Sequence, residues 1–456
     1  MKKRNEWVRK ELKRKLKKAD KGIVDFIKIQ QHYFPELSKW FNDMKDARNE
    51  SYVTYPQSDL ACMGLLKNVC GVKSMNSMNE MFNEEACIDT LGIISGDMTL
   101  HEMPHSDTLN YYLEKQDPDE FSEIRKKMIK KLIRDKTFHR GRLLGKYWRV
   151  IIDGTGLFCF KEKHCEHCLV TVTEKEDGTK EKRYFHKVLE AKIAFSDKIV
   201  MSIGTEFIEN ESEDVSKNDC ELNAAKRLFG RLKKEYPKLP VCIQGDALYA
   251  AGTVMELCRE NGWHYILTQK DTRQRALAES YGYIESGGGL EEVTGIGKEK
   301  GTGRFANGVE ETAGKDFTAN MFDYRYETKD EGGHTETHMF RWITDIELTK
   351  RNLTEMINAG RGRWKIENEG FNSQKNGIYD IEHLNSRNST AMKNHYLLTQ
   401  IADILMQLYL NWTPLTKKVG QSIKNTSSRL LESFRQCTIT DEDVSYIQRY
   451  TTVYLE

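Results

Sequence analysis

Apolar residues follow two different rhythms along this chain. Up to about Lys146 they recur at steps of three and four between short polar breaks, which predicts a series of helices. "DLACMGLLKNVCGV" is one such run. In "DPDEFSEIRKKMIKKLIRDK", Phe121, Ile124, Met128 and Leu132 line one face, and Asp117 or Asp119 stands where a helix is capped. At Tyr147 the period changes. "YWRVIIDGTG" is a short β-branched run closed by Asp153 and a Gly-rich turn, and "KRYFHKVLEAKIAF" and "KIVMSIG" read as further strands. "DCELNAAKRLFGRLKKEY" is an amphipathic helix opened by Asp219, and "KLPVCIQGDALYA" is a buried strand ending on Asp246. Helix "AGTVMELCRENG" and strand "WHYILTQ" follow.

Three strands, helix, strand, helix, strand is the order of a ribonuclease-H-like α/β fold, a mixed sheet flanked by helices. From about Lys270 to Gly333 the rhythm breaks in the Gly-rich "SGGGLEEVTGIGKEKGTGRFANG". A phosphate loop at "GIGKEKG" fails on context, since no strand runs directly into it and no helix opens there, so a flexible or hairpin loop is expected. "FDYRYETKDEGGHTETHMFRWITDI" reads as two strands joined through "DEGG", making this segment a β-rich insertion. Helix returns in "LTEMINAGRGRWKIENEGFNSQ", and "MKNHYLLTQIADILMQLYL" is expected to pack on the sheet. The expected organisation is a helical N-terminal region (1–145), a first part of the core (146–269), the insertion (270–340), a second part of the core (341–400) and a helical C-terminal tail (401–456).

Length agrees with this division, because 456 residues exceed one compact core. Charge changes the picture only locally. Lys and Arg number 70 against 69 Asp and Glu, so no global field points to a partner. Two runs are nevertheless strongly basic, "MKKRNEWVRKELKRKLKKADK" and "IRKKMIKKLIRDKTFHRGRLLGKYWR", and they read either as solvated helix faces or as phosphate contacts. No apolar run approaches the roughly 18 residues that would span a membrane, and the basic N-terminus lacks the apolar stretch of a signal peptide. Ten scattered cysteines make no disulfide framework, so a reducing cytoplasmic compartment is expected.

Candidate chemistry begins with the acids. A strand-end acid stands at the sheet rim, and two such strands bring Asp153 and Asp246 together. With a third carboxylate, Glu367, from a nearby helix, they form an oxygen site for a pair of Mg²⁺ ions. In "RGRWKIENEGFNSQKNG" a helix turns about 100° per residue, so Arg363, Glu367 and Phe371 share a face while Glu369 lies roughly 200° from Glu367. Each acid alone also reads as a cap or turn residue, and Arg363 with Glu367 as a surface pair. In "CFKEKHCEHC", Cys165 and Cys168 have zinc-knuckle spacing, with His164, His167, Cys159 or His186 to complete a tetrahedral Zn²⁺ site; unliganded thiols are the other reading.

"IIDGTG" with Asp153, "GDALYA" with Asp246 and "RWKIENEGFNSQKN" with Glu367 resemble the motifs of DDE transposases of bacterial cut-and-paste insertion sequences. The branch is the insertion-sequence-four-like one, with a β-rich insertion before the final Glu. "PHSDTLNYYL", "HCEHCL" and "DCELNAAKRL" add to the likeness, which runs from roughly Leu60 to Leu384. The resemblance implies Mg²⁺-dependent DNA cleavage and strand transfer, with Mn²⁺ able to substitute, and Asp153, Asp246 and Glu367 as catalytic metal ligands. It implies double-stranded DNA partners (terminal inverted repeats, bound by the N-terminal region, and a target), a homodimer on DNA, and phosphate contacts from Arg363 and Lys375. Two positions depart from the family pattern. Its Tyr is Gly360 here, and Lys375 lies one residue too far from Glu367, about 80° off its face instead of about 20°. A one-residue bulge near Gly370 would realign it. In related enzymes that close the DNA end into a hairpin, a flipped base stacks on a Trp where Trp342 stands; an ordinary core Trp is the other reading. A domesticated endonuclease or a non-catalytic DNA-binding relative would carry the same acids.

Overall fold

The structure, a computed structural model, describes residues 21–163, 165–176, 178–211, 218–270, 274–310, 318–329, 334–364, 370–412, 422–450, 453 and 455. The chain opens with α1 (Gly22–Tyr33), α2 (Leu37–Asn42), α3 (Gln57–Val69), α4 (Met75–Met81), α5 (Glu85–Ser95), α6 (Ser106–Lys115) and α7 (Pro118–Arg134). Strands β1 (Trp148–Phe160), β2 (Leu169–Glu174), β3 (Lys180–Ala194) and β4 (Val200–Ile208) follow, then α8 (Glu221–Glu235), β5 (Val241–Gly245), α9 (Gly252–Asn261), β6 (His264–Thr268) and α10 (Arg275–Ser286). Strands β7 (Glu291–Ile296), β8 (Gly301–Glu310), β9 (Thr318–Lys329) and β10 (Thr335–Thr344) precede α11 (Leu353–Arg361), α12 (Ser373–Asn376), α13 (Ser389–Leu410), α14 (Ile423–Gln436) and α15 (Asp441–Gln448). Two compact units result: Met1–Arg134 with Gly156–Phe185 and Phe371–Glu456, and Asp135–Thr155 with His186–Gly370.

The first unit is mainly helical. In α7 the expected face, Phe121, Ile124, Met128 and Leu132, is buried. Pro118 takes the first helical position, where no N–H is needed, and the Asp117 carboxylate accepts from the Asp119 N–H at 3.0 Å. The opposite, basic face is partly engaged: the Lys127 and Lys131 ammonium groups lie 5.8 and 5.9 Å from the Trp40 ring centre, and Lys131 pairs with Glu36 at 2.7 Å. The first basic run falls outside the described residues apart from Lys21. Helix α13 is apolar around most of its circumference, and it lies among α3, α6 and α7 instead of on the sheet as the sequence reading had it. An all-round apolar helix needs neighbours on every side, and the helical unit supplies them.

The second unit is built on a mixed sheet. Its core order is β4-β3-β1-β5-β6, with β1, β5 and β6 parallel and β3 antiparallel to β4. Helix α8 packs on β4, and α9 on β6. Strand β10 then joins β6 antiparallel, Trp342 opposite Thr268, and β9, β8 and β7 continue outward. The β-rich insertion is therefore an extension of the same sheet. Phe305, Phe322, Trp342, Leu353, Met356 and Ile357 form one buried cluster that joins it to α11. "GIGKEKG" is the turn between β7 and β8, a hairpin as expected. Helix α10, strand β2 and the run of β1 on to Phe160 depart from the sequence reading, which closed β1 at Asp153.

The helix expected through Arg361–Gly377 is interrupted. Helix α11 ends at Arg361, residues 370–372 form a π-helical turn, and α12 starts at Ser373. Glu367 and Glu369 lie outside the described residues.

Trp342 is buried in the core, one of the two placements that its sequence reading allowed. Only 2% exposed, it stacks on Phe322 at 5.0 Å and on Phe340 at 6.1 Å between ring centres. Across the layer it meets Gly360, where any Cβ would come within 2.6 Å of the indole. A side chain at position 360 would therefore have to displace the indole. Helix propensity alone predicts that Gly360→Ala stabilises by about 1 kcal/mol. Packing predicts the reverse, a loss of about 1–3 kcal/mol in denaturant unfolding.

Candidate active site

Asp153 and Asp246 reach one place through strand register. Strands β1 and β5 run parallel, and their last paired residues are Ile151 and Gln244. Each acid lies two residues further on, Asp153 still in β1 and Asp246 just past β5, and the Asp246 charge acts on the Asp153 carboxyl. Asp246 follows the end of β5 as the sequence predicts. Asp153 lies within β1, just past the part that pairs with β5.

Backbone amides hold both carboxylates. Asp153 Oδ1 accepts from the Gly154 N–H at 2.9 Å, and Asp246 Oδ1 accepts from the Leu248 N–H at 2.8 Å. Arg363, two residues past the end of α11, places Nη1 3.7 Å from Asp153 Oδ2, with each side chain 21% exposed. The buried Gln244 amide donates to the Ala359 carbonyl at 2.7 Å, tying β5 to the helix that leads to Arg363. Burial pushes the Asp153 carboxyl up to about 6; the Asp246 and Glu221 charges act in the same direction, while Arg363 and the Gly154 N–H oppose them.

Three further residues, missed in the sequence reading, stand at this place. Glu221 begins α8 inside "DCELNAAKRL", with its carboxyl against Gly154; it ion-pairs with Lys187 of β3 and accepts from the Tyr249 hydroxyl at 2.6 Å. The only sequence signal was the presence of Glu221 and Tyr249 in stretches that resemble the family. Lys375 is in α12, in the helical unit, and pairs with Glu382 at 2.6 Å. A π turn spans residues 370–372, and Glu367, with which a bulge near Gly370 would align Lys375, lies outside the described residues.

In the connection from β1 to β2 the Cys165 and Cys168 sulfurs are 3.6 Å apart. Leu169 pairs with Phe185, and His186 is the next residue along β3. One ligand atom from each of Cys165, Cys168 and His186 lies within 4.8 Å of the others, a soft donor set suited to zinc. His164 falls outside the described residues.

The raised Asp153 value sets a sign for stability. It lies above the unfolded value of about 3.9, so ionisation of Asp153 costs nothing below about pH 4 and the full amount above about pH 6. In chelator at pH 7.5, Asp153→Asn is expected to raise the unfolding free energy by on the order of 2 kcal/mol. Urea unfolding at pH 4 should show that gain abolished.

No protein-family model matches this chain, and no curated protein does. Among solved structures, the chain is similar to one described as "Cryo-EM structure of piggyBac transposase synaptic complex with hairpin DNA", at 10% identity with a TM-score of 0.40, over 94% of this chain and 82% of that one.

Proposed function

We propose that this protein is a DDE-type transposase of the insertion-sequence class, cutting DNA at terminal inverted repeats and joining the ends to a target. The observation that carries this reading is the parallel β1–β5 register, with Asp153 and Asp246 both two residues past their last paired neighbours and Arg363 on Asp153. The order β4-β3-β1-β5-β6, three parallel strands beside an antiparallel pair, supports a ribonuclease-H-like description of the sheet.

The two acids offer hard oxygen donors, and Glu367, four residues after Arg363, is proposed as the third. Asp153, Asp246 and Glu367 would hold Mg²⁺, which would supply the positive charge for activating a water nucleophile and stabilising the leaving oxygen. Asp153 offers its oxygens from β1 and Asp246 from the turn after β5, each held by a backbone amide. Arg363 offsets negative charge at Asp153, and its fork of donors suits a phosphodiester oxygen. Lys375 is proposed to add a second phosphate contact, as a point charge. The helical unit is proposed to bind the repeats through its basic faces, and two chains are proposed to pair two DNA ends.

Purified protein with Mg²⁺ and DNA carrying the element's flanking repeats should release cleaved ends and joined products. Asp246→Ala should lower that rate at least about a thousandfold while leaving repeat binding in place. Binding without cleavage by both proteins would favour a non-catalytic DNA-binding relative, and cleavage without joining an endonuclease.

The Cys165 and Cys168 thiols are proposed to hold a structural zinc together with His186. Elemental analysis of protein purified without chelator should then find about one zinc per chain, lost in Cys165→Ser/Cys168→Ser.

A further inference from the structure

Glu221 is a third carboxylate beside the Asp153–Asp246 pair, yet its own bonds turn it to another use. Its Oε2 accepts from the Tyr249 hydroxyl at 2.6 Å and its Oε1 is taken by the Lys187 ammonium, so both oxygens are engaged. Its side chain is only 14% exposed. The carboxyl lies so close to β1 that a Cβ on Gly154 would fall within 2.5–2.7 Å of its carbon and both oxygens. Only glycine allows that approach, and Gly154 directly follows Asp153.

Tyr249 connects the other acid. It is fully buried, three residues after Asp246, and its N–H donates to the Asp246 carbonyl at 3.1 Å in the turn that leaves β5. One carboxylate therefore lies against the backbone beside Asp153 and holds the side chain of the residue whose N–H closes the Asp246 turn. Lys187, from β3, supplies the matching charge.

We infer that Glu221 is a positioning residue, a brace that sets the spacing of Asp153 and Asp246 through Gly154 and Tyr249 and is not itself a metal ligand. This rests on the reading of the two aspartates as a divalent-cation site. A rigid spacing lets two carboxylates share one cation without reordering, so the brace acts on metal affinity before it acts on rate.

The test is calorimetric titration of Mn²⁺ into the full chain and into Asp246→Asn, Glu221→Gln and Tyr249→Phe, each with its thermal midpoint recorded. Wild type should bind Mn²⁺, and Asp246→Asn should lose at least about a hundredfold in affinity. Glu221→Gln and Tyr249→Phe should each lose about tenfold, within the range for outer-shell partners of a metal site. The double variant should be no worse than either single one, because both changes break the same connection. If Glu221→Gln abolishes binding while Tyr249→Phe leaves it unchanged, Glu221 is a ligand and the brace is overturned. If neither variant changes an affinity that Asp246→Asn abolishes, the brace is overturned and the aspartate site stands. Failure of the wild type to bind Mn²⁺ removes the cation site, and the brace falls with it. Tyr249→Phe keeps the ring packing, so it reports even if Glu221→Gln folds poorly.

Discussion

The parallel pairing of β1 with β5 is the constraint on which the site depends. Trp148 opposite Val241 through Ile151 opposite Gln244 fixes which side chains stand level past the paired stretch. A slip of one residue would turn one aspartate to the opposite face of the sheet. Val150, Ile151 and Ile152 on one strand and Cys242 and Ile243 on the other are buried on both faces of the sheet, so a slip would force each of these side chains to repack. Apolar burial thus holds two like charges in one partly desolvated place. Amide donors from Gly154 and Leu248 and the Arg363 guanidinium offset part of the cost, and an opposite charge between the acids would offset more.

Much of this was legible because strands announce themselves in short β-branched runs, and "WRVII", "VCIQG" and "HYILT" are strands in the structure. Asp246 could be placed because its strand ends where its apolar run ends. Asp153 was harder. The residues after it, "GTGLFCF", read as a turn on glycine content, yet they continue as extended chain in β1. Helix α10 was hidden by the Gly-rich stretch after it, although Leu277 and Tyr281 have helical spacing and are buried.

Relations between distant side chains were not legible at all. That Glu221 meets Gly154 and Tyr249 depends on how α8 enters the sheet, and no local pattern encodes it. The position of α13 was misread for a related reason. An apolar helix says that it is buried but not in what, and α3, α6 and α7 surround it where a sheet face was expected. The expected helix through Arg361–Gly377 failed in its continuity: Gly360 and Gly362 flank the end of α11, and a π turn follows at 370–372.

The contact between Trp342 and Gly360 makes the volume at these two positions a shared quantity. A large side chain on the helix and an indole on the strand exclude one another, so neither position can change freely while the other stays fixed. Drift through sequence space would have to pass through a small residue at both, with a cavity between sheet and helix, before the bulk could move from one element to the other. Trp342 and Gly360 thus set one packing volume between strand and helix, and a change at either is a change at both.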